Sequence, residues 1–147
     1  PSFFQETDKL LGVFAIDEMK ENDFWRQAKF IESNDIAEIL TKMHEMDILD
    51  FYPQYKVAYN FREQVLAKND EKASNAVLSS AHIDEHPSED KKELVALLFE
   101  VLLSFNDQTM EYWAGKLKKP YFEPMKPLLE ELSTKFGERG HKLLSLF

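Results

Sequence analysis

Apolar residues in this chain recur at intervals of three and four positions and almost nowhere at intervals of two. Leu94, Leu98, Val101 and Phe105 fall on one helical face, as do Met110, Trp113, Ala114 and Leu117, and as do Ile36, Ile39, Leu40 and Met43. A period near 3.6 buries one stripe of an α-helix, whereas a half-buried strand alternates. No two consecutive runs alternate in the manner of a hairpin, so the spacing predicts an all-α protein.

Capping residues punctuate these stripes. Leu10, Leu11 and Phe14 form a first stripe, and Asn22-Asp23 offers an N-cap for a short segment carrying Phe24, Ala28 and Ile31. Ser33-Asn34-Asp35 precedes the stripe that starts at Ile36, with Glu38 placed for a capping-box variant. Pro53 suits the first turn of a helix with Tyr55, Ala58, Tyr59, Arg62 and Leu66 in register. Asp70 opens the next helix, which must weaken near His86 because Pro87 disfavours the α conformation before it. Ser88, Glu89 and Asp90 mark the start of a long apolar helix through Phe105, with Glu93 and Glu100 at its wet edge. Asn106-Asp107 caps the segment that Pro120 stops; Pro124 and Pro127 open the last long helix, which Gly137 is placed to end before a terminal segment to Phe147.

Eight or nine short helices with short connections predict a compact irregular multi-helix bundle over residues 1–147, read as a single all-helical domain. A short solenoid of helical hairpins is the alternative, although no self-similarity is visible at the roughly 34- to 47-residue periods of helical repeats. The 147 residues suffice for one core, and an aromatic content of 13% argues against disorder. The most apolar run, Leu94 to Leu103, is interrupted by Glu100 and far short of the ~20 residues a spanning helix needs. There is no cysteine, which excludes disulfides and thiolate zinc and favours a reducing, cytoplasmic setting. No basic flank precedes Phe3-Phe4, so no secretory signal is visible.

Charge narrows the partners. The formal net charge is −9, and residues 1–52 hold 12 acidic against 5 basic side chains, whereas residues 53–147 hold 15 against 13. An acidic surface repels phosphate backbones and anionic headgroups, so direct nucleic-acid and membrane binding are disfavoured and a basic protein partner is favoured.

Motifs for catalysis are missing. His82 and His86 stand at i and i+4, the spacing at which two helical side chains share a metal, but Ile83 replaces the glutamate that follows the first histidine in metalloprotease helices. Histidines at a helix C-terminus also complement the dipole, so this pair reads as a helix-end cap and not as a metal site. Glu138 and His141 are spaced as one Glu-x-x-His pair of a di-metal bundle, yet they flank Gly140 and have no matching second pair. Gly115-Lys116 lacks a phosphate-binding loop before it, and no nucleophile motif occurs. The chain is therefore read as a non-enzyme with no cofactor.

Two stretches carry interaction chemistry. Glu45, Asp47, Asp50, Phe51, Tyr52 and Tyr55 combine carboxylates with large amphipathic rings and form the candidate partner-binding set. Phe51, Tyr55 and Tyr59 are also spaced as a core stripe, which is the competing reading. Lys116, Lys118 and Lys119 beside Tyr121 and Phe122 form a small basic cluster, better explained by cations on the last turn of a helix than by a nucleic-acid contact. The expectation is an acidic protein-binding module, an inhibitor or immunity-type protein that covers a basic surface of its partner. The alternative is a small-molecule- or metal-binding helical protein with a pocket inside the bundle.

Overall fold

A computed structural model describes residues 35–68, 71–79 and 87–147, and among these every regular element is helical. Seven α-helices occur there: α1 (Ile36–Glu45), α2 (Pro53–Lys68), α3 (Glu71–Ser79), α4 (Pro87–Leu103), α5 (Asp107–Leu117), α6 (Lys126–Ser133) and α7 (Gly137–Leu144). The all-α expectation holds. The two stripes expected before residue 33 lie outside the described residues. Contacts divide the chain into two compact units at the Tyr52–Pro53 junction, and each is described by itself.

In the first unit, the Asp35 carboxylate accepts the Ala37 amide at 2.9 Å and caps α1, whose Ile36, Leu40 and Met43 are buried as the stripe predicts. The helix ends without glycine. Asp47 takes the left-handed conformation (φ 58°), its amide donates to the His44 carbonyl, and the Ile48 amide reaches back to the Met43 carbonyl. Those two bonds, with Ile48 fully buried, are a Schellman ending in which a short polar side chain replaces the usual glycine. A 3₁₀ turn, Leu49–Phe51, follows.

In the second unit, α4 is the central element: Leu94, Val95, Leu97, Leu98, Phe99, Val101 and Leu102 are all buried. Leu94, Leu98, Val101 and Phe105 point inward as expected. α2 packs on α3 and α4, while α5, α6 and α7 pack on α4. The expected face of α2 needs correction. Gln54, Val57, Ala58, Phe61 and Val65 are buried, whereas Tyr55 and Tyr59 are half-buried and Leu66 is 52% exposed. Phe61 decides the register, because its ring fits edge-on against Trp113 at 5.1 Å and also meets Phe105.

The Asn106 side chain accepts the Thr109 amide at 2.8 Å and starts α5, whose Met110, Trp113, Ala114 and Leu117 are buried. After Leu117 the chain continues through one π-helical turn, Lys118–Phe122, and a 3₁₀ turn before α6. Gly137 does not only end the helical run; with φ 61° it also begins α7. The Arg139 guanidinium then donates to the Phe105 carbonyl at 2.9 Å and the Leu103 carbonyl at 3.3 Å and pairs with Asp107, which also takes Lys142 at 3.2 Å. This clamp satisfies the Leu103 carbonyl, which the end of α4 leaves without an intrahelical donor, and the Phe105 carbonyl just beyond it.

Candidate functional site

Four of the six candidate partner-binding residues lie exposed within the seven-residue segment of the first unit from Glu45 to Phe51. Glu45 ends α1, Asp47 holds the left-handed position, and Asp50 and Phe51 occupy the 3₁₀ turn. Phe51 is 43% exposed while its neighbour Leu49 is buried, which assigns Phe51 to the surface and removes it from the core stripe proposed with Tyr55 and Tyr59. Tyr52 is half-buried, its amide bonded to the Leu49 carbonyl. All five carboxylates of residues 35–52 (Asp35, Glu38, Glu45, Asp47 and Asp50) are exposed, and Lys42 is the sole lysine or arginine of that segment. Asp47 has a structural task that spacing alone conceals, since it closes the helix.

Tyr55 belongs to the second unit. Burial pushes its phenol up, and the carboxylates Glu93 and Glu100 push the same way. Glu100 is the departure from the expected wet edge of α4. It is half-buried, and desolvation raises its carboxyl to about 7 against the opposing pull of Lys135.

A second site was not expected from the sequence. A cleft of about 330 Å³ lies between the start of α3 and the first turns of α5, lined by Glu71, Gln108, Thr109, Tyr112 and Trp113. Gln108 and Tyr112, like Thr109 and Trp113, are four apart on α5, so one helix face supplies four of the five walls. Glu71 opens α3 and is fixed from across the cleft. It accepts the Tyr112 hydroxyl and pairs with Lys116 at 2.9 Å, and Lys116 Nζ lies 5.6 Å from the centre of the Tyr112 ring. The Tyr112 bond, followed by Lys116, holds the Glu71 carboxyl below the usual range, so it is ionised at neutral pH. Tyr112 is 48% exposed, whereas Trp113 is buried with its indole N–H lacking any hydrogen-bond partner. Of these residues only Trp113 was singled out in the sequence, on the stripe with Met110, Ala114 and Leu117; Glu71 is 41 residues from Tyr112 and no local signal connects them.

The basic cluster resolves into structure. Lys116 is committed to Glu71, and Lys118 lies 3.9 Å from Glu123. Phe122 is fully buried, stacked on Phe147 at 4.6 Å and edge-on to Phe99, and so belongs to the core. His82 and His86 lie outside the described residues. Among the described residues no group of three or more His, Asp or Glu side chains is placed to hold a metal, and no helix is long and apolar enough to cross a membrane.

Comparison with protein families, with curated proteins and with solved structures found no match.

Proposed function

We propose that this chain is a non-enzymatic protein-binding module whose acidic first unit covers a basic surface of its partner, in the manner of an inhibitor or immunity protein. The observation that carries the reading is the segment from the end of α1 through the 3₁₀ turn, where Glu45, Asp47, Asp50 and Phe51 are all exposed, with a single lysine nearby in sequence. Such a surface speeds encounter with a basic partner through long-range attraction, and a central aromatic supplies short-range affinity. The same charge disfavours nucleic acid and anionic membrane, and the cysteine-free composition suits the cytoplasm. Contacts within the second unit between helices that are not sequence neighbours, α4 with α6 and α7 and α5 with α7, support an irregular bundle over a solenoid, whose repeats touch only their neighbours.

The test is capture from the native host at low and moderate salt, using wild type, a Glu45→Lys/Asp50→Lys variant and a Glu130→Lys/Glu131→Lys control on α6. A basic protein retained by wild type and control but lost from the first variant supports the reading. Equal retention by all three refutes it. The alternative, a small-ligand protein, is favoured by one observation, the cleft of about 330 Å³, which is at the lower end of ligand-site sizes, about 300–1,000 Å³.

A further inference from the structure

We propose that the cleft between α3 and α5 is a receptor for an arginine residue of the partner, with Glu71 and the Tyr112 ring holding the guanidinium and Lys116 acting as its built-in competitor. The inference rests on the proposed basic partner only for the source of the arginine.

The internal ion pair shows what the site recognises. Lys116 Nζ is 2.9 Å from Glu71 and 5.6 Å from the Tyr112 ring centre, so a carboxylate and an aromatic face already converge on one cation. Glu71 accepts one donor on each oxygen, Lys116 on Oε1 and the Tyr112 hydroxyl on Oε2, and an ionised carboxylate retains further lone pairs. A guanidinium suits those sites better than a second ammonium. Its planar fork can bridge both oxygens while its face lies on an aromatic ring, and its remaining N–H groups can meet the Gln108 and Thr109 oxygens. Trp113 lines the same cleft and its buried indole N–H has no hydrogen-bond partner, so its resonance reports on a charged group entering beside it.

The experiment titrates the full chain with N-acetyl-arginine methylamide and with its neutral isostere N-acetyl-citrulline methylamide. The indole N–H resonance of Trp113, identified by its loss in Trp113→Phe, is followed by NMR. The arginine compound is expected to shift that resonance saturably and the citrulline compound to leave it. Glu71→Gln should weaken binding about tenfold or more. Lys116→Gln should tighten it about two- to fivefold, the effect of removing an exposed ion pair, whereas Lys119→Gln, which removes the same charge outside the cleft, should not. Circular dichroism establishes that each variant is folded.

An unmoved indole resonance overturns the site. Equal shifts from both compounds overturn the cationic assignment. Weaker binding by Lys116→Gln overturns the competitor role. If the probe binds but no partner is captured, the proposed function fails and the arginine site stands. If a partner is captured but the probe does not bind, the arginine site fails and the proposed function stands.

Discussion

Gly115 and Gly140 are both helical glycines, and replacing each by alanine is predicted to move stability in opposite directions. In an exposed helix alanine is favoured over glycine by about 0.8–1.0 kcal/mol, partly because glycine loses more freedom on folding. Gly115 is exposed on α5, and an added Cβ meets nothing within 4 Å, so Gly115→Ala should gain roughly 0.5–1 kcal/mol. Gly140 is buried where α7 crosses the end of α6. Its added Cβ would lie 2.5 Å from the Ser133 carbonyl oxygen and 3.0 Å from Phe136 Cβ. The first obstacle is backbone, so no rotamer change relieves it and α7 must shift. Overpacking of this kind costs about 1–3 kcal/mol, and a clash with backbone belongs at the upper end. After the helix-propensity gain is subtracted, Gly140→Ala should lose roughly 1–2 kcal/mol. Urea unfolding followed by circular dichroism measures both. A Gly140→Ala variant as stable as wild type would refute the assignment of that glycine to a close helix crossing.

Leu98, fully buried on α4, should cost about 2–5 kcal/mol when replaced by alanine, and a loss below about 1 kcal/mol would show that the core is centred elsewhere. At Asp47 (φ 58°) glycine should be neutral or stabilising in urea unfolding and valine destabilising, because the left-handed conformation costs a branched residue most; the reverse order would contradict the Schellman ending. Glu100 is raised to about 7 in the folded chain against about 4.3 when unfolded. Between those values the folded state binds more protons, so this group's contribution falls as pH rises from 5 to 7.5, and Glu100→Gln should flatten the decline and stabilise the protein at pH 8. Urea midpoints measured across that range for both proteins decide it, and parallel profiles would contradict the burial of this carboxyl.

Where cap and stripe agree, the sequence is legible. Asn106 followed by Met110, Trp113, Ala114 and Leu117 predicts both the start and the buried face of α5. α2 is different, because its apolar residues surround the helix: Tyr55, Ala58, Tyr59 and Leu66 make one stripe, and Val57, Phe61 and Val65 another. Periodicity alone cannot choose between two faces of similar hydrophobicity. The choice falls to Trp113 and Phe105, far along the chain, which accept the Phe61 ring. Gly137 ends a helical run as its position suggested, but that α7 begins at the same residue was not visible from the glycine alone. Glu100 looked like a wet-edge charge because its heptad position says nothing of the neighbouring elements that cover it. The acidic turn was legible as composition, since its carboxylates are exposed by default, whereas Asp47's part in closing α1 depends on a backbone conformation. The cleft was not legible, because one of its five walls comes from a separate helix.

Association kinetics with the captured partner, measured against ionic strength, test the central claim most directly. An acidic face that steers a basic partner predicts an association rate constant for wild type that falls about tenfold or more from ~10 mM to ~150 mM salt, as screening shortens from about 30 Å to 8 Å. Glu45→Lys/Asp50→Lys should associate more slowly at low salt and approach wild type at high salt. A rate constant indifferent both to salt and to these reversals would contradict the claim that the acidic turn is the binding surface.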